Sequence, residues 1–290
     1  MALIEKKKTI PASEVADEIR QLQQIEKGIL LDIDAFCKEH DIQYFLGEGT
    51  LLGAIRHHGF IPWDDDVDII MKRADYERFL AIAPRALAEK YEIQHPTTVK
   101  NYWSPFIKVR LKGKNQLFHQ QHIAHLSENN GPYIDIFPME YVPKLKSFPQ
   151  TVQSKYIRYL RGMLSLKLRL RKPRNWKQVI LRVLAQFYTV DGIHRRLDRT
   201  FKHYGPEPRP YIATLSSYHR LRCQVVPASV YDEAIQWPFE DVTLPVPKDY
   251  EQLLTTIYGD YMTLPPEEKR VTHHSYRVYR REDFEQSSER

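Results

Sequence analysis

The chain has 290 residues, of which 42 % are apolar, enough for one large domain or a core with a sizeable subdomain. Its two cysteines, Cys37 and Cys223, are far apart, which excludes a disulfide scaffold and a CxxC zinc module and suits a reducing compartment. A net charge of +6 and a pI near 9.1 favour anionic partners without choosing among nucleotides, phosphorylated glycans, acidic lipid and nucleic acid.

The opening MALIEKKKTI holds too short an apolar stretch for a signal peptide, and no later stretch reaches membrane-spanning length. The expectation is a cytoplasmic protein, soluble or attached to a membrane face. Val15, Ile19, Leu22, Ile25, Ile29, Ile33 and Phe36 recur at helical spacing, so a helix is predicted from an N-cap at Ser13 to about His40. A short strand, IQYFL, stops at Gly47-Glu48-Gly49, and Thr50 to Arg56 reads as a short helix. After the Phe60-Ile61-Pro62 turn, Val67, Ile69 and Ile70 mark a second strand. Asp75 to Lys90 is a further amphipathic helix, with a kink or break at Pro84; SPFIKVRL and PYIDIF read as strands.

Composition shifts near residue 141. From Tyr141 to Val190 there is no Asp or Glu, yet Lys and Arg recur from Lys144 to Arg182. Apolar residues there fit a helix, and Pro173 breaks it before a second helix near Trp176. Residues 1–140 are read as the catalytic core and 141–290 as a basic, mostly helical subdomain whose end, from Arg280, is polar and frayed. One-sided charge points to an anionic partner, with a membrane surface ranked above nucleic acid because no nucleic-acid module is recognisable.

The sharpest chemical feature is Trp63-Asp64-Asp65-Asp66-Val67-Asp68-Ile69. Strand alternation puts Asp66 and Asp68 on one face while Val67 and Ile69 enter the core. Carboxylates so placed repel unless a cation lies between them, and a hard divalent ion, Mg2+ or Mn2+, suits oxygen ligands. The bland alternative is a solvated acidic turn, weakened by the apolar strand that the acids enter. Upstream, Gly49 and Thr50 open a helix whose free N–H groups suit phosphate. Asp135, flanked by Ile134 and Ile136, is costly to bury unpaired. It is read as a third metal ligand, as the base for an attacking hydroxyl, or as a buried acid satisfied by Arg or backbone N–H groups.

At these residues the chain resembles the LicD family of phosphocholine transferases. LGEGTLLGAIRHHGFIPWDDDVDII at 46–70 is similar to the family's hallmark block, and YIDIFPME at 133–140 and YGDYMTLPPEEKR at 258–270 resemble two later blocks. Glu48 departs from the pattern, standing where many relatives carry a small residue. The resemblance implies an α+β fold: a nucleotidyltransferase-like mixed sheet core with flanking helices and a mostly helical C-terminal subdomain. It also implies transfer of phosphocholine from CDP-choline, or of a related group from a CDP-activated donor, to a glycan or lipid-linked glycan such as a teichoic acid or lipopolysaccharide precursor. It carries metal binding onto Asp66 and Asp68 and a third acid onto Asp135. Because such acceptors are often lipid-linked, peripheral attachment at the inner face of a membrane is expected.

Several residues keep two readings. Arg56, at the end of the short helix, can meet phosphate or merely complement the helix dipole. Lys269 and Arg270 can bind phosphate or belong to a solvated charge run. Trp63, Tyr102, Trp103 and Tyr133 are candidates to face a quaternary ammonium, or are core. Two rival functions are transfer of a nucleotide by the same metal site and a non-catalytic glycan- or membrane-binding module.

Overall fold

The computed structural model describes residues 16–113, 117–118, 129, 131–143, 148–217, 225–271 and 278–279. The fold is mixed α/β. Its centre is a seven-stranded sheet built on a ten-residue strand, β6 (Tyr133–Val142). The first part of β6 lies parallel to β2 (Asp68–Lys72) on one side and antiparallel to β4 (Ile107–Leu111) on the other. β1 (Phe45–Leu46) and β3 (Tyr91–Gln94) flank these, giving the order β1-β2-β6-β4-β3. The far end of β6 pairs with β7 (Tyr211–Ala213), which pairs with β8 (Val225–Pro227). The pair β2/β6 is parallel, and a parallel pair needs a long crossover; here it is residues 73–132, which hold α3 (Arg73–Ala86), β3, β4 and β5 (Leu117–Phe118).

α1 (Ala16–Glu39) and α2 (Glu48–His57) match the predicted helices. The expected cap Ser13 and Val15 lie outside the described residues, as do Lys144, Lys146, Cys223 and the segment from Arg280. α3 ends two residues after Pro84, earlier than the predicted Lys90, and the chain enters β3 at Tyr91. Buried faces of α1, α2 and α3 pack with Val67, Ile69, Ile107, Val109, Ile134 and Ile136 in the main core.

α4 (Phe148–Lys167), α5 (Trp176–Gln186) and α6 (Val190–Phe201) follow β6. Asn175 caps α5 and Thr189 caps α6, each side chain accepting a hydrogen bond from a first-turn N–H. Apolar side chains of α4 and α6, with Val142, Ala213 and Val225, form a second core.

Beyond it the chain returns to the first core. β9 (Ala234–Phe239) and β10 (Val242–Pro247) form a hairpin, followed by α7 (Tyr250–Tyr258). Phe239, Leu244, Val246, Leu253 and Leu254 are buried against β1 and α2 neighbours in the main core. These strands carry Pro238, Pro245 and Pro247, which mask a strand signal but are tolerated in a two-stranded hairpin where outer N–H groups have no ladder partner. Arg20 of α1 ties to the hairpin through a two-pronged ion pair with Glu240 at 3.1 and 2.9 Å. The last described strand, β11 (Val278–Tyr279), pairs with β5. Among the described residues, no helix is long and apolar enough to cross a membrane.

Candidate active site

One face of the central strands is apolar and the other is ionic. Alternation along β4 sends Ile107 and Val109 into the core and puts Lys108 and Arg110 on the opposite face. On β6, Ile134 and Ile136 share the core face, leaving Tyr133 and Asp135 with the cations. Register then builds a row across three strands: Asp68 of β2 beside Asp135 of β6, and Asp135 beside Lys108 of β4. Lys108 Nζ donates to both Asp135 oxygens, at 2.6 and 2.8 Å, in a fully buried ion pair. The same ammonium lies 3.6 Å from the Tyr133 ring centroid, and the Arg110 guanidinium lies 4.6 Å from it. Arg110 is anchored by Gln94 and by the Gly131 carbonyl.

Before β2 the chain runs through the acidic loop. Strand geometry begins at Asp68, although the Asp135 N–H already donates to the Val67 carbonyl at 2.8 Å. Asp64, Asp65 and Asp66 sit in the loop, and one carboxylate oxygen from each lies within 4.8 Å of the others. Asp64 and Asp65 are buried, and Asp66 is half-buried. Buried Gln23 on α1 donates to the Ile61 and Asp64 carbonyls at 3.2 and 2.9 Å, pinning the loop to the helix.

The glycine turn meets this loop directly. A Cβ on Gly49 would stand 2.7 Å from Asp64 Oδ2, and one on Gly47 would stand 2.8 Å from the Ile70 side chain. Thr50 is buried, and its hydroxyl accepts the Asp68 N–H at 2.8 Å, which fixes the start of β2 against α2. Glu48, between the glycines, has a φ of 45° in the left-handed region, so a glycine, which lacks a Cβ, would relieve strain there.

Concentrated negative charge dominates the electrostatics. Burial, then Asp66 and Asp65, push the Asp64 carboxyl well above its ordinary value. Asp68 is pushed the same way by burial, then by Asp66, Asp135, Glu48 and Asp64. Glu26, buried on α1, is raised by burial and by Asp66, Asp65, Asp64 and Asp135. Burial raises the Tyr258 hydroxyl, and Glu48, Asp64, Asp68 and Asp66 raise it further. Burial lowers Lys108, although Asp135 opposes the shift. A set of close, self-repelling carboxylate oxygens is the donor chemistry that a hard divalent cation takes.

A cationic and aromatic rim adjoins the loop. Arg56 Nη1 donates to the Tyr261 carbonyl at 2.8 Å, and burial lowers its pKa. The Arg270 guanidinium stands 5.5 Å over the Trp63 ring, which meets His57 edge-on at 6.1 Å. Arg270 Nε also donates to the Pro265 carbonyl at 2.9 Å.

The LicD/FKTN/FKRP nucleotidyltransferase domain matches residues 41–160, the segment that holds the glycine turn, the acidic loop, β2 and β6. Over 265 residues the chain is 31 % identical to the lipopolysaccharide cholinephosphotransferase LicD of Haemophilus influenzae, covering 90 % of this chain and 97 % of that one. The chain belongs to the LicD family. It is accordingly an enzyme of the transferase class. An uncharacterized protein of Rickettsia typhi is 39 % identical over 67 residues, 23 % of this chain and 22 % of its own. A second, from Rickettsia prowazekii, is 39 % identical over 57 residues, 20 % and 21 % of the two chains.

In this LicD-family site, Asp66, Asp68 and Asp135 fall within one electrostatic group, with Gly49 against Asp64 and Thr50 against Asp68. Arg270 stands over the Trp63 ring, while Arg56 is bound to the Tyr261 carbonyl. Lys269 stands exposed in the single turn Glu267–Lys269. Tyr133 is buried between two cations, and Tyr102 is buried with its carbonyl against His194. Trp103 is half-buried, 5.2 Å from the Lys108 ammonium.

Asp64, Asp65, Glu26, Lys108 and Tyr258 had no place among the sequence-derived candidates. Strand alternation picks out Asp66 and Asp68, but the segment is loop up to Val67, so Asp64 and Asp65 also join the acidic group. Glu26 carried a readable signal, an acid on the same helical stripe as Ile19, Leu22, Ile29 and Ile33. So did Lys108, a cation between Ile107 and Val109, by the reasoning that singled out Asp135.

Proposed function

We propose that this enzyme transfers phosphocholine from CDP-choline to a sugar hydroxyl of a cell-surface glycan, such as a lipopolysaccharide or teichoic acid precursor, and releases CMP. It would do so on a nucleotidyltransferase-like core, at the inner face of a membrane. The Haemophilus influenzae relative, by its name a lipopolysaccharide cholinephosphotransferase, supports the transferred group. The single observation that carries the chemistry is the register that sets Asp68 beside Asp135, next to the acidic loop.

Asp66 and Asp68, joined by Asp64 and Asp65, would hold a divalent cation, Mg2+ or Mn2+. Bound there, such an ion would supply positive charge to offset that of the donor diphosphate and of departing CMP. Asp135 accepts the proton of the acceptor hydroxyl at a carboxylate oxygen. Lys108, across from it on β4, holds both oxygens of that carboxylate in place. The hydroxyl oxygen forms the new bond to phosphorus, and the bond from phosphorus to the bridging diphosphate oxygen breaks, its electron pair leaving on CMP. Gly49 lets the head of α2 come close to the donor phosphates, and Arg56 and Arg270 supply positive charge at the rim.

The test is donor turnover by the full chain with Mg2+, comparing CDP-choline, CDP-ethanolamine, CDP-ribitol and CDP-glycerol. CMP release with CDP-choline, lost on chelation and restored by the metal, is expected. Release of pyrophosphate from a nucleoside triphosphate would instead make it a nucleotidyltransferase. Inertness toward every CDP donor would remove the proposal.

A further inference from the structure

Among the described residues, exposed large apolar side chains are concentrated on α5 and the two residues that follow it. Of twelve, seven belong to residues 176–188: Trp176, Val179, Ile180, Val183, Leu184, Phe187 and Tyr188. Six of these recur at i, i+3, i+4, i+7, i+8 and i+11, which draws a continuous apolar stripe along α5. That stripe faces solvent. Phe187 is 82 % exposed, Trp176 68 % and Val183 57 %. The other side of α5 already has its partner, since Ala185 is fully buried and Leu181 packs on the second core beneath α4.

The surroundings of the stripe are cationic. Lys172, Arg174, Lys177 and Arg182 are exposed beside it, and the chain from Tyr141 to Val190 holds no acid. An apolar stripe with Trp and Phe, bordered by Lys and Arg, is the composition of a helix that lies in a lipid headgroup layer. A second copy of the chain fits poorly, because a two-fold contact would set this acid-free surface against itself. Nucleic acid fits poorly too, because Val179, Ile180, Val183 and Leu184 offer bases nothing to stack upon.

We propose that α5 is the membrane-docking element of this enzyme. Its outward stripe inserts into the interface of an acidic phospholipid bilayer, and Lys177 and Arg182 meet the headgroups. This deepens the membrane location proposed above and does not depend on which group is transferred.

The experiment is flotation of the full chain with vesicles of phosphatidylcholine containing a third phosphatidylglycerol. Wild-type protein should float, and binding to pure phosphatidylcholine should be at least tenfold weaker. The double variant V183N/F187N should bind at least tenfold more weakly with an unchanged melting temperature, and K177E/R182E should also lose binding. Lipids brominated on their acyl chains should quench Trp emission in the wild type and much less in Trp176→Phe. CMP release on a water-soluble acceptor should be the same in V183N/F187N as in wild type, which keeps failure of docking distinct from failure of the proposed chemistry. Failure of the wild type to float at low salt would overturn the proposal, as would flotation of V183N/F187N like wild type. A wild-type dimer in light scattering that V183N/F187N dissociates would overturn it in favour of a self-interface.

Discussion

Asp68 and Asp135 are register partners on parallel strands, so their carboxyls share one face of the sheet, while Lys108 grips only Asp135. Two neighbouring acids therefore have different surroundings. Asp135 has a buried cation of its own, and Asp68 faces Asp66, Glu48 and Asp64. Paired acids whose environments diverge are suited to divided work, one as ligand and one as base.

Removing an acid from the carboxylate cluster should separate activity from stability. Asp64→Asn and Asp68→Asn delete charges that burial and neighbouring carboxylates disfavour. In chelator both variants should melt higher than wild type, by about 2 °C or more. Their CMP release should fall by about 10²–10³-fold, the scale of losing one preorganised electrostatic contact. Added Mg2+ should raise the wild-type melting temperature and leave both variants nearly unmoved. Scanning calorimetry with and without the ion reads this, and a drop in melting temperature in chelator would contradict it.

Breaking the Lys108–Asp135 pair from one side leaves an uncompensated buried charge. Lys108→Met should cost about 3–5 kcal/mol in urea unfolding. The double change Lys108→Met with Asp135→Asn should recover much of that loss, because neither buried charge remains. If the double variant is no more stable than the single one, the pair is not what Lys108 contributes.

Two glycines of the same helix should respond differently. At Gly53 a Cβ would meet the Gly59 carbonyl at 2.5 Å and the Ile61 N at 3.1 Å, both backbone, so Gly53→Ala should destabilise by about 1–3 kcal/mol. At Gly49 the obstruction is the end of the Asp64 side chain, which can rotate away. Gly49→Ala should keep most of its stability and lose activity because Asp64 moves. Equal thermal losses in the two would refute the distinction.

The His95 imidazole should make stability pH-dependent. Its Nδ1 accepts the Thr97 N–H at 3.2 Å and lies 2.8 Å from the Thr97 hydroxyl, so protonation there breaks contacts. Burial first, then His194, with Arg73 and Lys202 acting against Glu77, pushes its pKa down to about 3. Between about 3 and the ordinary 6.5 the unfolded chain binds the proton and the folded chain does not. This contribution is whole above 6.5 and shrinks as pH falls toward 3. His95→Gln should flatten the melting temperature between pH 6.5 and 4.5, compared with wild type over the same range.

The sequence by itself determined the elements that neighbours along the chain decide. Helical period placed α1, and the glycine turn followed by an apolar strand placed α2 and β2. An acid between two isoleucines in a strand was enough to mark Asp135. Only the tertiary structure decided that Asp135 pairs with Lys108, since that contact depends on the register of β4 against β6 across a separation no local pattern encodes. The same holds for Glu26, brought to the acidic loop by the packing of α1, and for Tyr258, brought by the return of the chain through a proline-bearing hairpin. The outward turn of α5 was hidden for the opposite reason. A stripe of apolar residues at helical spacing looks the same whether it will face a core or a bilayer, and only the packing of Leu181 and the burial of Ala185 on the other side show which side was left over.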